Sequence, residues 1–307
     1  MTAVEERAVE TVWRAGRPVD VHGTLRPFLR GRSDRAHRLL DGVFWRCALT
    51  PAGPVTLALR QGAREEVRAS AWGPGAEWTI ASIPELLGAR DSCDDFVPRH
   101  RVLSDTHRKY PGVRIPRSGL VMDSVIPAIL EQRVTSKQAH EAWKFLLVKY
   151  GTVPPGPAPD GMRVPPHPAV LLTVPTWDWH RAGVDITRQR AVRAAATVAH
   201  RLEECVGMAP ADALARLRVV PGLGVWTAAE TAQRALGDAD AVSVGDFHIP
   251  GLVGHALIGR RVDDDGMLEL LAEWPGHRHR VVRLIELAGI GKPRYGPRFA
   301  PQDYRDF

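Results

Sequence analysis

Three features of the sequence carry chemistry. One is an aspartate, Asp246, in Val244-Gly-Asp-Phe-His-Ile249; another is an indole, Trp226, twenty residues before it; the third is the glycine turn Pro221-Gly-Leu-Gly224, set between two helical patterns. Glycines in such a turn take positive φ freely and place no Cβ between the backbone amides and an approaching group. The first amides of the following helix carry the partial positive charge of its N-terminus. Pro221, Gly222, Leu223, Gly224, Val225 and Thr227 therefore form a ready phosphate site. Taken alone, Pro-Gly-x-Gly is more often a plain helix–helix turn with a glycine cap. A carboxylate in a low-dielectric cleft stabilises developing positive charge and orients or deprotonates water. Asp246 also stands where it can N-cap the helix that follows, and one side chain can do both.

Leu217-Arg-Val-Val-Pro-Gly-Leu-Gly-Val-Trp-Thr-Ala228, followed by Asp246, resembles the signature of the helix-hairpin-helix DNA glycosylases. That signature is Leu-x-x-[apolar]-Pro-Gly-[apolar]-Gly-x-x-[Thr]-Ala, with an essential aspartate about twenty residues later. It is most similar to the 3-methyladenine DNA glycosylase II branch, which has Trp before Thr-Ala, as Trp226 is here. Bifunctional relatives carry a Schiff-base lysine at that position. The resemblance therefore implies a monofunctional enzyme that hydrolyses the N-glycosidic bond of alkylated bases, 3-methyladenine-type N-alkylpurines, in duplex DNA and leaves an abasic site. Ile129-Leu-Glu-Gln-Arg-Val-Thr135 resembles the helix end that presents a wedge to DNA, Ala182-Gly-Val-Asp-Ile-Thr-Arg-Gln-Arg-Ala191 loosely resembles the helix start before the hairpin, and Glu273-Trp-Pro-Gly-His-Arg278 resembles the start of the last long helix. By the same resemblance the carbonyls of Arg218, Val220 and Leu223 would hold a monovalent cation, Na or K, that bridges the hairpin to a phosphate when DNA is bound; no cofactor is otherwise required. The implied partner is duplex DNA containing damaged bases, and the implied state is a monomer with no membrane association. The rival of another class is a catalytically silent damage-binding protein, and the enzymatic rivals are a glycosylase for deaminated or oxidised bases and one acting on RNA.

The chemistry assigns a role to each remaining residue. A base inside a duplex must be rotated out, at a cost of a few kcal/mol. Gln132 and Arg133, at a tip between two helices, are the expected wedge: Gln can hydrogen-bond the orphaned base and the guanidinium plane can stack, although a solvated turn would have the same composition. Trp226 and Trp274 are candidate walls for the flipped base, because an electron-rich indole attracts an alkylated, cationic purine. Core packing competes for each and is favoured for Phe247. Glu230 either attracts a cationic base from the pocket wall or pairs with Arg234 one turn on. It stands where this branch often has an aromatic, and Arg133 where an apolar wedge is common; both departures bear on base preference. Asp238, Asp240 and Asp263-Asp264-Asp265 read as loop carboxylates. His277-x-His279 is rejected as a metal site, since i,i+2 side chains on a helix diverge and no Cys or carboxylate has ligand spacing.

Positioning these groups requires an α+β N-terminal domain with an antiparallel sheet (1–112), an all-helical glycosylase domain (113–290, hairpin about 217–236) and a C-terminal tail (291–307). Strands are expected at Phe44–Thr50, Val55–Leu59, Val67–Trp72 and Trp78–Ile80, with helices at Arg35–Leu40 and Ile83–Leu87. In the second domain a helix capped by Asp123 or Ser124 runs to Glu131 with Pro127 in its first turn, and Thr135-Ser-Lys-Gln138 forms a capping box. Proline-rich 151–168 is a stiff loop. Helical pattern then covers 169–173, 188–205, 211–218, 225–236, 247–258 and 267–288. The chain has 307 residues, 44% hydrophobic and 25% charged, an ordinary globular balance; 41 Lys and Arg against 35 Asp and Glu favour an anionic partner only modestly. Three scattered cysteines exclude a disulfide framework, a four-thiolate zinc site and a Cys-ligated iron–sulfur cluster. The first residues lack the basic-then-apolar order of a signal peptide, and no apolar stretch reaches membrane-spanning length, so the expected setting is a reducing cytoplasm, at the nucleoid.

Overall fold

The computed structural model describes residues 7–290; the tail expected at 291–307 lies outside them. Among the described residues the strands form one antiparallel sheet in the order β1-β5-β4-β3-β2: β1 (Val9–Arg14), β2 (His37–Leu40), β3 (Val43–Thr50), β4 (Gly53–Gln61) and β5 (Glu66–Trp72). Alternation along β3, β4 and β5 turns Phe44, Leu57, Leu59, Val67, Ala69 and Ala71 onto one face. Short α1 (Val21–Leu25) and α2 (Ala76–Leu86) cover that face with Val21, Leu25, Ile83 and Leu86. Arg35–Leu40 is not helical: its last four residues are β2, which pairs Leu40 with Val43 across the turn Asp41-Gly42. Both turn residues have positive φ, at 50° and 73°, as a two-residue hairpin demands. Trp78–Ile80 is not a strand but part of α2, because Pro74-Gly75 starts a helix there.

Two helical cores follow. The first gathers α4 (Val121–Leu130), α5 (Ser136–Tyr150), α6 (Pro168–Thr173), α7 (Thr176–Arg181), α8 (Ile186–Thr197), α9 (Ala199–Glu203), α10 (Pro210–Arg218) and α11 (Val225–Thr231) around Val125, Ile129, Trp143, Leu146, Trp179, Val192 and Leu217. The second gathers α12 (Ile249–Ile258), α13 (Asp264–Leu271) and α14 (Arg278–Ala288). α3 (Arg101–Lys109) joins this second core: Phe96 and Leu103, placed with the N-terminal sheet on sequence grounds, pack among the apolar residues of α12–α14. Buried Arg280 fixes that junction by donating to Asp91 and to the Ser92 carbonyl.

α5 opens with the expected capping box, Thr135 with Gln138. α4 begins earlier than expected, at Val121, and Pro127 lies in its interior. Its cap is the Glu203 carboxylate, which accepts from the amides of Val121 and Met122 at 2.9 Å each, while Asp123 accepts from Arg46. α11 widens into a π turn over Ala232–Leu236. The carbonyls of Arg234 and Ala235 there accept from the Ser118 and Gly119 amides, which ties the end of the hairpin unit to the chain leading into α4.

Candidate active site

The α10–turn–α11 unit is a helix-hairpin-helix. Leu217, Val220 and Leu223 are buried in the first helical core and fix the hairpin from below, while Pro221, Gly222, Gly224 and Val225 face solvent. The two glycines serve different ends. Gly222 has φ +89°, and a Cβ there would stand 2.5 Å from Cβ of Ala191 on α8, so its conformation and its packing both require glycine. A Cβ at Gly224 would meet nothing within 4 Å, so the protein itself makes no demand for glycine there. The amides of Gly224, Val225, Trp226 and Thr227 take no backbone partner in the turn, and no side chain caps α11. They point their partial charge outward, which suits an oxyanion. The Leu223 amide differs: it donates to the Val220 carbonyl. The Arg218 and Leu223 carbonyls accept no backbone amide. Two unpartnered carbonyls and one shared one are the hard, neutral oxygen donors that a monovalent cation takes.

Asp246 is held from three sides. Its Oδ1 accepts from the amides of His248 at 2.6 Å and Ile249 at 2.9 Å, capping α12, and its Oδ2 accepts from Trp226 Nε1 at 3.0 Å. The expected capping role of this aspartate is thus seen in its two amide contacts, and the indole fixes its other oxygen. The loop that presents it is pinned by Asp264, whose Oδ1 accepts from the Gly245 amide at 3.0 Å. Gly245 has φ +88°, as the sharp turn needs. Trp226 is half-buried, with its N–H committed to the carboxylate, so its edge orients Asp246 and its face is left for contact.

The structure treats the other expected pocket residues differently. Trp274 is no pocket wall: it lies 3% exposed in the second helical core, donates from Nε1 to the Val97 carbonyl and packs near the His100 ring. Core packing wins because α13 ends at Leu271 and the turn that follows, with the Trp274 amide donating to the Leu271 carbonyl, carries the indole into that core. Phe247, favoured as a core residue, is instead 73% exposed beside Asp246, edge-on to the His248 ring. Glu230 does not face an open pocket. Arg234 donates to its Oε2 at 2.7 Å and the Ser243 hydroxyl to its Oε1, so the pair with Arg234 holds, though buried rather than at the surface. Burial by itself would lower the Arg234 guanidinium, but the Glu230 charge holds it above its ordinary value.

Gln132 and Arg133 share a tip but not a role. Gln132 Nε2 donates to the Gly222 carbonyl at 2.9 Å and to Thr227 Oγ1 at 2.8 Å, fastening the tip to the hairpin. Buried Arg188 secures the same tip from α8, donating to the Leu130 carbonyl and to Gly183 O while its Nε pairs with Asp185. These fixed neighbours leave Arg133 exposed with φ +54°, and among the described residues it forms no ion pair. The Glu230–Ser243 contact and the roles of Arg188 and Asp264 join residues 13, 58 and 19 apart and leave no local signal. Of the two histidines set aside as metal ligands, His277 bonds Asp95 and Arg280, and His279 is buried.

No protein-family model matches the chain. In sequence it is 29% identical over 247 residues to the probable bifunctional transcriptional activator/DNA repair enzyme AlkA of Mycobacterium tuberculosis, a match that covers 69% of this chain and 48% of that protein. The chain thus spans about half the length of the curated relatives it matches. In structure it superposes on a 3-methyladenine DNA glycosylase from Archaeoglobus fulgidus with a TM-score of 0.74 at 16% identity, covering 91% of this chain and 99% of that one. It superposes on the Clostridium acetobutylicum 8-oxoguanine glycosylase/lyase with a TM-score of 0.71 at 11% identity, covering 92% and 98%. The chain has the α+β fold of the helix-hairpin-helix DNA glycosylases and, in sequence, resembles an AlkA-type protein.

Proposed function

We propose that this protein is a monofunctional DNA glycosylase that hydrolyses the bond between C1′ and an alkylated base in duplex DNA. The observation that carries the reading is the Asp246 carboxylate, oriented by the Trp226 indole and two backbone amides close to an exposed glycine hairpin. The hairpin amides grip a phosphate, Arg133 enters the stack vacated by the flipped nucleotide, and Asp246 faces the sugar. As the bond to the base lengthens, oxocarbenium charge builds on the sugar; the carboxylate stabilises it and orients water toward C1′. Oδ1 spends both its lone pairs on the two amides, and Oδ2, with the indole as its one donor, keeps a lone pair for that work. Trp226 at the position of a Schiff-base lysine leaves no amine there to open the sugar, which favours hydrolysis without strand cleavage. Phe247 offers an exposed ring on which a base can stack. A monovalent cation at the Arg218, Val220 and Leu223 carbonyls would add positive charge at the bound phosphate.

The test is base release from methylated duplex DNA, with abasic sites and strand breaks scored separately. Wild type should release 3-methyladenine without nicking. Asp246→Asn, which keeps a good N-cap, should fold normally and lose at least a hundredfold in rate. Full activity in Asp246→Asn would remove the catalytic assignment, and binding without any abasic product would favour a silent damage-binding protein.

A further inference from the structure

Glu230 sits one turn beyond Trp226 on the same face of the hairpin helix, and it spends both carboxylate oxygens inside the protein. Its partner Ser243 belongs to the loop that presents Asp246: the Asp246 amide donates to the Ser243 carbonyl at 3.2 Å. Gln233, from the π turn, donates to Ser243 Oγ at 2.9 Å and to the Ala241 carbonyl at 2.9 Å. Arg234 closes the set, bonding Glu230 and, through Nε, the Pro27 carbonyl of the N-terminal domain at 3.1 Å. The side chains of Glu230, Gln233 and Ser243 are all buried.

We propose that Glu230 is a positioning residue: through Ser243, with Gln233, it latches the Asp246 loop to the hairpin helix so that the Trp226 indole and the Asp246 carboxylate meet. The proposal deepens the glycosylase reading and rests on it for the reaction, not for the latch. The geometry supplies two fastenings between the same pair of elements, Trp226 to Asp246 at the mouth and Glu230 to Ser243 below it. A loop held at one point can swing about it; a loop held at two has a fixed orientation. The hydroxyl is essential to this arrangement, since Ser243 donates to Glu230 while accepting from Gln233. Losing it leaves a buried Glu230 oxygen and one N–H of the buried Gln233 amide without a partner. A carboxylate engaged in this way is also unavailable to attract a cationic base.

Three full-length proteins decide the matter: Glu230→Gln, Ser243→Ala and Ser243→Thr, the last restoring a hydroxyl. Hydrogen exchange on the free protein should show faster exchange in 243–249 for Glu230→Gln and Ser243→Ala, no change in 217–226, and recovery in Ser243→Thr. This readout does not depend on any activity. In single-turnover base release at saturating enzyme, the first two should be roughly ten- to a hundredfold slower, as displacement of a catalytic group by about an ångström produces. Cationic 7-methylguanine and neutral hypoxanthine should be affected alike, with binding to a duplex bearing a tetrahydrofuran abasic analogue unchanged. If Glu230→Gln slows only cationic lesions and Ser243→Ala slows none, Glu230 is a base-recognition residue and the latch is wrong. If exchange in 243–249 is unaltered in Ser243→Ala, the latch is wrong whatever the kinetics, and that variant decides the question should Glu230→Gln fail to fold. Absence of base release from wild type, with the exchange pattern as expected, would sink the glycosylase reading and leave the latch standing.

Discussion

The two hairpin glycines make opposite predictions under the same substitution. At Gly222 alanine would have to hold φ +89°, which costs about 1–2 kcal/mol for an L-residue. Its Cβ would also press within 2.5 Å of buried Ala191, and overpacking of this kind adds about 1–3 kcal/mol. The total, roughly 2–5 kcal/mol, corresponds to a fall in Tm of about 3–8 °C for a protein of this size. At Gly224 the backbone is extended, with φ −81° and ψ −175°, and the new methyl meets nothing. Alanine there should leave Tm unchanged or raise it slightly, because it restricts the unfolded chain. The methyl does, however, stand beside the unpartnered amides at the start of α11, where a phosphate oxygen must come within about 3 Å to accept a hydrogen bond. Gly224→Ala should therefore weaken binding to an abasic-analogue duplex by tenfold or more while the protein remains as stable as wild type. Thermal unfolding and fluorescence-anisotropy titration at fixed salt measure both quantities on the same samples. Wild-type affinity in Gly224→Ala would show that phosphate does not approach by this face, and an unchanged Tm in Gly222→Ala would refute the packing argument.

Three further outcomes follow from other parts of the molecule. Arg133→Asn, which tolerates positive φ, should slow excision from fully paired duplex by about tenfold yet leave a lesion in single-stranded DNA nearly unaffected, because only the paired base must be levered out; equal slowing of both substrates would deny Arg133 the wedge role. Asp91→Ala strands the buried Arg280 guanidinium and should cost about 3–5 kcal/mol in urea unfolding at constant m, whereas a loss under 1 kcal/mol would mean the junction does not depend on that pair. Burial holds the His279 imidazole far below its ordinary value, with Arg283, Arg234 and Arg280 adding to the effect. The unfolded chain therefore takes up a proton below about pH 6.5 that the native chain refuses, and this site should make stability fall with acidification by up to about 1.4 kcal/mol per pH unit. His279→Gln should flatten that limb of the curve, and an unchanged slope would place a charged or solvated imidazole at the site.

What the sequence disclosed was local, and what it withheld depended on distant partners. The capping box Thr135–Gln138, the strands at 44–50 and 67–72 and the hairpin glycines are legible because each signal lies within a few residues of its effect. The Asp41-Gly42 turn is an equally local signal that the expected helix at Arg35–Leu40 leaves out of account: Asp-Gly between apolar residues marks a hairpin and outweighs a six-residue helical pattern. The start of α4 could not be read locally, since Glu203 caps it from 81 and 82 residues away. Trp274 and Phe247 exchanged environments against expectation for a similar reason. Hydrophobicity alone does not say which aromatic the turns after α13 and at Gly245 point inward, and here they bury the indole and leave the phenyl ring at the surface beside Asp246. The same reasoning covers Glu230 and Gln132. Each carries a polar head that sequence spacing aims at solvent or ligand, but each meets a partner 13 or 90 residues along the chain and acts by holding another group still. In the proposed site the residues assigned to the substrate lie within a short motif, whereas the residues that fix its geometry are recruited across the fold. Substitutions that spare Asp246 and the hairpin but break Ser243, Gln132 or Arg188 should accordingly impair the rate through misalignment while leaving the motif intact.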